Sequence, residues 1–256
     1  MSNIAKKFST IAFDLDGTLA ESKSSITPEM SGLLCKLLEQ YNVAVVSGGA
    51  FPQFQKQFLA NLSCSSEDSL KKLYLFPTSG SALYIYENGS WRVVYEELLS
   101  EDAKKQIISA WAKVLHDSGI TLPTPSYGPV MEDRGAQMTF SACGQDAPIA
   151  IKSTWDPDQK KRLAIRDMLL PLLPDFSINI GGLNTIDITK KGVDKAYAMG
   201  KIMSYLNESK DDIMFVGDKL DPGGNDYAAR RSGVTCVAVA NPDDTAVLIR
   251  KLISVE

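Results

Sequence analysis

Thr10-Ile-Ala-Phe-Asp-Leu-Asp-Gly-Thr-Leu-Ala-Glu21 is the stretch of this chain that decides its fold. An apolar run rich in β-forming residues ends in Asp14 and Asp16, and a glycine and a threonine follow. We predict a strand over residues 9 to 14, with both carboxylates pointing over its end. The carboxyl edge of an open α/β sheet is where such folds bind their ligands.

Two carboxylates at one strand end can divide the work of a transfer reaction. One can attack as a nucleophile while the other moves a proton. Two acids so close together also repel each other, so we expect a cation nearby. The alternative is an ordinary solvated turn. We interpret Asp14 as a nucleophile.

Apolar runs and helical patterns alternate on either side of this stretch. Thr27-Pro28 predicts a helix start, with Thr27 as the N-cap. The helix is followed by an almost wholly apolar strand over residues 42–47 and a third strand over residues 73–76. From residue 192 the alternation resumes with a helix, an apolar strand, a last strand and a closing helix that begins at Pro242. This order predicts a Rossmann-like α/β core built on a parallel sheet.

The middle of the chain has a different pattern. Asn88-Gly89 between two β runs predicts a hairpin. Long helices over residues 100–117 and 157–170 alternate with short strands near residues 130, 140, 178 and 187. We therefore predict an α+β domain with an antiparallel sheet over residues 84–187, inserted into a core formed by residues 1–83 and 188–256.

Composition excludes several classes of function. The chain has 256 residues and a net charge of −4, which argues against binding to nucleic acid or to an anionic membrane surface. No apolar run is long enough to span a membrane, and the polar residues 1–7 do not resemble a signal peptide, so we expect a cytoplasmic protein. The single histidine, His116, leaves little basis for a triad. We expect the four cysteines to be buried or free thiols.

Two motifs downstream of the first strand could bind phosphoryl oxygens. Ser47-Gly48-Gly49 ends a buried strand and offers a hydroxyl and backbone N–H groups, although such a stretch can also be only a turn. Lys195 lies near the start of a predicted helix, where an ammonium could neutralise a phosphoryl group. Lys190 and Lys191 compete for that role.

A polar, glycine-rich loop follows the apolar strand that ends at residue 217. It carries Asp218, Asn225 and Asp226, whose oxygens suit a hard cation. Mg²⁺ held by carboxylates, waters and a substrate phosphate fits this set. The spacing of a calcium-binding EF-hand is absent.

The four signals occur in the order that identifies a known superfamily. Phe13-Asp-Leu-Asp-Gly-Thr18, Ser47, Lys195 and Gly217-Asp218 with Gly224-Asn-Asp226 resemble the motifs of the haloacid dehalogenase phosphotransferases, and the insertion resembles the cap of subfamily IIB. Within that group the chain is similar to the phosphomannomutases. The similarity lies in residues 216–227, in Phe76-Pro77 with Gly80, and in the segment from Ser177 to Asp187.

The resemblance implies a role for each matching residue. Asp14 would form an aspartyl-phosphate, Asp16 would protonate the leaving oxygen and then activate the acceptor, and Ser47 and Lys195 would hold phosphoryl oxygens. Mg²⁺ would be bound by Asp14, the backbone carbonyl of Asp16 and Asp218, with support from Asn225 and Asp226. The remaining contacts to a sugar phosphate would come from Gly48 and Gly49 in the core and from Arg134, Gly181, Gly182, Thr185 and Asp187 in the cap. Pairing of two copies through the cap is also implied.

Three departures from the phosphomannomutase pattern bear on function. Ser47 replaces a glycine and is typical of phosphatases. Gln145 stands where another arginine is expected, with Lys152 as a candidate substitute, and Arg230-Arg231-Ser232 replaces an acidic residue. Our main hypothesis is therefore a Mg²⁺-dependent phosphatase of small sugar phosphates. The alternatives are a phosphohexomutase, which interconverts the 6- and 1-phosphates of mannose or glucose, and a non-catalytic sugar-phosphate sensor.

Overall fold

A computed structural model describes residues 8–64 and 66–254 of the chain. Residues 1–7, on which the expectation of a cytoplasmic protein partly rests, lie outside the described residues. The chain divides into two compact units, Met1–Glu96 with Asp194–Glu256, and Glu97–Val193. The second unit is therefore inserted into the first, and each is described below by itself.

In the first unit, strands and helices alternate as the sequence predicts. The bounds of the strands and helices of both units follow in chain order. The strands are β1 (Thr10–Asp14), β2 (Asn42–Val46), β3 (Leu73–Phe76), β4 (Ala82–Glu87), β5 (Ser90–Glu96), β6 (Met131–Asp133), β7 (Gln137–Ser141), β8 (Phe176–Gly181), β9 (Thr185–Lys190), β10 (Ile213–Gly217) and β11 (Thr235–Ala238). The helices are α1 (Pro28–Gln40), α2 (Phe51–Gln57), α3 (Glu67–Leu70), α4 (Glu101–Ser118), α5 (Ile149–Trp155), α6 (Lys160–Leu169), α7 (Lys195–Leu206), α8 (Tyr227–Arg230) and α9 (Pro242–Ile253). None of the helices in the described ranges is both long and apolar enough to cross a membrane.

A seven-stranded sheet in the order β11-β10-β1-β2-β3-β4-β5 forms the first unit. The five strands from β11 to β3 run parallel. Strand β1 is buried at every position and lies between β10 and β2, as expected for a strand with helices on both faces. Because the strands are parallel, the carboxyl ends of β1, β2 and β10 meet at one edge. That edge carries Asp14, Ser47 and Asp218.

The hairpin β4–β5 corrects the predicted domain boundary. Asn88 and Gly89 form its turn with positive φ angles of 52° and 78°, as the Asn-Gly signal predicts. We assigned residues 84–96 to the insertion, but β4 pairs antiparallel with β3 and extends the large sheet. Its Leu83 is fully buried in the same apolar cluster as Phe76 of β3. A change from parallel to antiparallel pairing was therefore mistaken for a change of domain.

The second unit contains the expected antiparallel sheet, in the order β6-β7-β9-β8. Its apolar side chains, among them Phe140 and Ile186, pack with Trp111 of α4 and Ile165 of α6. Alternate residues on β7 and β9 are polar, as the two-residue period of a strand requires. The helix predicted over 157–170 is shorter, Lys160–Leu169, and is preceded by α5, which we did not predict.

Two of the cysteines contradict our expectation of thiols. Cys35 of α1 and Cys64 form a disulfide, with Cα atoms 5.2 Å apart. The backbone N–H of Ser63 donates to Ser31 Oγ at 2.8 Å, and the hydroxyl oxygens of the two serines lie 2.9 Å apart. These contacts hold the segment before Cys64 against α1. The two cysteines are 29 positions apart in the sequence, and no sequence signal indicated this packing. Cys143 and Cys236 are free, as predicted.

Candidate active site

Three buried charged groups form the centre of the site. Lys195 Nζ lies 2.7 Å from Asp14 Oδ1 and also pairs with Asp226 Oδ1. None of the three residues is more than 3 % exposed. Asp194 caps α7 by accepting from the backbone N–H groups of residues 196 and 197, which starts the helix at Lys195 and aims its side chain at β1. Of the three lysines considered, only this one is buried with the carboxylates.

The other two lysines belong to the second unit. Lys190 and Lys191 are both exposed. The Lys191 ammonium donates to the carbonyl oxygen of Pro174 at 2.9 Å. These contacts leave Lys195 as the lysine beside Asp14 and Asp226.

Burial dominates the electrostatics of this group. Burial raises the pKa of Asp14 to about 8, although Lys195 works in the opposite direction. Burial alone would lower the pKa of Lys195, but Asp14 and Asp226 together raise it above its ordinary value. The ammonium is therefore permanently charged at neutral pH, while the ionisation of Asp14 depends on what positive charge lies near it.

Asp218 and Asn225 present oxygens that suit a metal. Carboxylate oxygens of Asp14, Asp218 and Asp226 all lie within 4.8 Å of one another. Asp218 Oδ1 and Asn225 Oδ1 are buried and have no hydrogen-bond partner among the residues that the structure describes. A buried acceptor without a donor is costly, and a hard cation would satisfy both oxygens. Burial also raises the pKa of Asp218, which a cation would reverse.

Gly17 explains how the first motif comes close to Asp218. Gly17 has φ of +86°, and a Cβ there would lie 2.7 Å from Asp218 Cγ. Only glycine allows both this left-handed backbone and this approach. The glycine of the motif therefore brings the turn after β1 against a candidate metal ligand.

Asp16 lies outside this group of carboxylates and has its own partners. The backbone N–H of Lys23 donates to Asp16 Oδ1 at 2.6 Å. Gln57 Nε2 donates to the same oxygen at 2.8 Å, and Gln53 Nε2 lies 3.4 Å from Oδ2. This placement leaves the Asp16 carboxylate out of the metal cluster, in line with the predicted use of its backbone carbonyl alone.

The loop after β2 is held by its own hydrogen bonds. Ser47 is buried, and its Oγ accepts from the N–H of Gly49 at 3.1 Å. The carbonyl oxygens of Ser47 and Gly49 accept from Ser79 and Thr78 at 2.9 Å each. The hydroxyl therefore already engages the Gly49 amide that we predicted for a phosphate, and the phosphate contacts of Ser47, Gly48 and Gly49 stay a prediction.

Residues predicted to bind the sugar phosphate form a cluster within the second unit. Asp187 Oδ1 accepts from Thr139 Oγ1 at 2.8 Å. A Cβ on Gly181 would lie 2.6 Å from both Asp187 Oδ2 and Thr185 Oγ1, so the backbone there packs directly on these side chains. Arg134 is paired with Glu132 through Nε and Nη2 at 2.9 and 2.7 Å. Three of the predicted residues are thus in contact with one another.

The turn that carries Gly181 and Gly182 is held by a residue that we did not predict. Arg162 is 2 % exposed, and its Nη1 donates to the carbonyls of both glycines at 2.8 and 3.1 Å. Its Nε forms a buried ion pair with Asp156 at 2.8 Å. An arginine in a helical pattern carries no sequence signal for such a contact.

The positions that depart from the phosphomannomutase pattern have partners of their own. Lys152 is buried, and its Nζ donates to the carbonyl of Gln145 at 2.7 Å. Arg231 pairs with Asp194, the cap of α7. Arg230 Nε donates to the Leu220 carbonyl at 3.0 Å. In the second unit, the buried cations Lys152 and Arg162 are thus engaged with protein acceptors.

Comparison with known proteins identifies a family model and relatives that match most of the chain. Residues 30–255 match the family model described as eukaryotic phosphomannomutase. A phosphomannomutase of Schizosaccharomyces pombe is 27 % identical over 252 residues, which cover 96 % of this chain and 94 % of that protein. The family match begins after the first motif, whereas the match to the yeast relative extends over nearly the full length.

Solved structures resemble the fold at low sequence identity. An IMP-nucleotidase of Plasmodium falciparum superposes with a TM-score of 0.73 and 14 % identity, covering 98 % of this chain and 69 % of that one. A haloacid dehalogenase-like hydrolase of Bacteroides thetaiotaomicron gives a TM-score of 0.62 and 14 % identity, covering 96 % and 100 %. The predicted fold class, a haloacid dehalogenase core with an inserted α+β domain, is confirmed.

Proposed function

The chain belongs to the eukaryotic phosphomannomutase family of the haloacid dehalogenase superfamily, and we propose that it is a Mg²⁺-dependent phosphohexomutase. It would interconvert the 6- and 1-phosphates of mannose or glucose through an aspartyl-phosphate on Asp14. The observation that carries this proposal is the buried group of Asp14, Lys195 and Asp226 beside the unpartnered oxygen of Asp218.

The chain's own residues supply positioning and charge for an in-line transfer. Asp14 attacks phosphorus, and the Lys195 ammonium, held 2.7 Å from it, neutralises charge on the transferred group. Asp16 gives a proton to the leaving sugar oxygen and later takes one from the attacking hydroxyl. Ser47 would contact a phosphoryl oxygen from the end of β2. Enzymes catalyse phosphoryl transfer mainly by such positioning and by electrostatic stabilisation.

Asp14, Asp218 and Asp226 would hold the metal, together with Asn225 and the backbone carbonyl of Asp16. The buried, unpartnered oxygens of Asp218 and Asn225 support this assignment. Mg²⁺ bound there would supply positive charge that favours the ionised form of Asp14 and stabilises the phosphoryl group during transfer. Without such a charge, the raised pKa of Asp14 would leave the nucleophile largely protonated at neutral pH.

The alternative hypothesis, a phosphohexomutase, is better supported than the main hypothesis, a phosphatase. The family match and the relatives that carry the name phosphomannomutase support the alternative hypothesis. Ser47 is the specific observation that keeps hydrolysis as a second candidate. A cytoplasmic location and pairing of two copies through the second unit stay predictions.

A coupled assay separates these functions. We expect conversion of mannose 1-phosphate to the 6-phosphate that requires Mg²⁺ and hexose 1,6-bisphosphate and exceeds the release of inorganic phosphate. Asp14→Asn should abolish it. Phosphate release without isomerisation would establish the phosphatase instead. Sugar-phosphate binding with neither reaction, unchanged in Asp14→Asn, would indicate the sensor.

A further inference from the structure

The carboxylate of Asp16 is held unequally at its two oxygens. Oδ1 accepts from the Lys23 N–H at 2.6 Å and from Gln57 Nε2 at 2.8 Å. Each carboxylate oxygen has two lone-pair sites, so these two donors fill both sites on Oδ1. Among the described residues, Oδ2 has only the long contact of 3.4 Å with Gln53 Nε2. A proton on Asp16 therefore has room only on Oδ2.

The amide of Gln57 is itself held in one orientation. Gln53 Nε2 donates to Gln57 Oε1 at 2.9 Å, which turns Nε2 of Gln57 toward Asp16. The two glutamines lie four residues apart on α2, so their side chains are neighbours on one face of the helix. Gln57 is 4 % exposed and its rotamer is confined by packing. The amide therefore acts as a rigid donor rather than a mobile one.

We propose that Gln57 is a positioning residue that confines proton transfer to Oδ2 of Asp16. This inference rests on the proposed function, in which Asp16 is the acid and base. In the first half-reaction, an Asp14 oxygen bonds to phosphorus, the bond from phosphorus to the sugar oxygen breaks, and the Oδ2 proton moves to that oxygen. In the second, the accepting hydroxyl returns a proton to Oδ2 as its oxygen bonds to phosphorus and the aspartyl bond breaks.

Without Gln57, the carboxyl group of Asp16 can carry its proton on either oxygen. Two substrates with different leaving groups can therefore distinguish a misplaced proton from a general loss of structure. A departing sugar alkoxide needs the proton, whereas p-nitrophenolate is stable enough to leave without it. A variant that only disturbs the fold would slow both transfers alike.

The experiment uses the full chain with Mg²⁺ and enzyme in excess over substrate, so that only the first transfer is timed. It compares the release of hexose monophosphate from hexose 1,6-bisphosphate with the release of p-nitrophenol from p-nitrophenyl phosphate. Gln57→Met keeps the side-chain length and removes the donor. Gln57→Glu keeps the shape and replaces the donor by an acceptor. Gln55→Met, at an exposed position of the same helix, is the matched control.

We expect Gln57→Met to slow release from the bisphosphate about 10- to 100-fold and to change p-nitrophenol release less than about threefold. Gln57→Glu should be slower still on the bisphosphate, and Gln55→Met should match the wild type. If the wild type is active and Gln57→Met slows both releases equally, or slows neither, the role of Gln57 alone is overturned. A wild type that transfers phosphate from neither compound would overturn the proposed function and this inference with it.

Discussion

Removal of Lys195 tests whether its ammonium is what allows two carboxylates to be buried together. The side chain lies 2.7 Å from Asp14 and also pairs with Asp226. Lys195→Met keeps much of the apolar stem and takes away the charge. The buried group then consists of two facing carboxylates with no cation between them.

The size of the effect follows from the number of charges left behind. Burial raises the pKa of Asp14 to about 8, so in the variant the carboxyl group of Asp14 carries a proton at neutral pH. One unpaired charge remains, so the expected loss is that of one broken buried pair, about 3–5 kcal/mol. A domain commonly has a stability of about 5–15 kcal/mol. We therefore expect Lys195→Met to fold and to unfold at much lower urea.

Urea unfolding in EDTA at neutral pH measures this loss, and hydrogen exchange of the β1 amides assigns it to the first unit. Lys191→Met is the matched control, because that lysine is exposed, and should stay within about 0.5 kcal/mol of the wild type. Adding Asp226→Asn to Lys195→Met removes one of the two facing carboxylates and should restore at least half of the loss. A loss below about 1 kcal/mol in Lys195→Met, or no recovery in the double variant, would refute the reasoning.

Three further predictions concern neighbouring features. In the absence of metal, the melting temperature of Asp14→Asn should rise relative to that of the wild type as the pH increases from 5 to about 8. Burial raises the pKa of Asp14 from 3.8 to about 8, so the wild type loses stability across that window. A difference in melting temperature that does not change with pH would contradict this. Gly17→Ala should lower the free energy of unfolding by about 1–2 kcal/mol, because alanine is strained in the left-handed backbone. It should also displace Asp218 and weaken Mg²⁺ binding at least about tenfold in a calorimetric titration. An unchanged Mg²⁺ affinity would exclude the contact. Cys35→Ser should lower the free energy of unfolding by about 3.5 kcal/mol, since the bond to Cys64 closes a loop of about 30 residues; equal urea midpoints in the variant and the oxidised wild type would exclude the disulfide.

Local patterns determined most of the first unit. The apolar runs before Asp14 and Asp218 became β1 and β10, and the Thr27-Pro28 signal became the start of α1 with the Thr27 hydroxyl as its cap. Such features depend on residues that are adjacent or one helical turn apart, so they can be recognised in a sequence. The parallel order of the strands then predicted that Asp14, Ser47 and Asp218 share one edge.

Contacts between distant segments were decided only by the tertiary structure. The local pattern left Lys190 and Lys191 in competition with Lys195, and only the family resemblance favoured Lys195. In the structure Lys190 ends β9, Lys191 follows it, and of the three only Lys195 is buried. Gln57 meets Asp16 across 41 residues of chain, although its spacing of four from Gln53 was a signal that could have been noticed.

The disulfide and the place of the β4–β5 hairpin have the same origin. Cys35 meets Cys64 because the segment before Cys64 packs on α1, and the hairpin joins the large sheet because β4 finds an open edge on β3. The chemistry of the site could be predicted from residue types at strand ends, because backbone direction alone brings those ends together. Which side chains orient that chemistry depended on how helices pack on the sheet, and a linear pattern does not encode that packing.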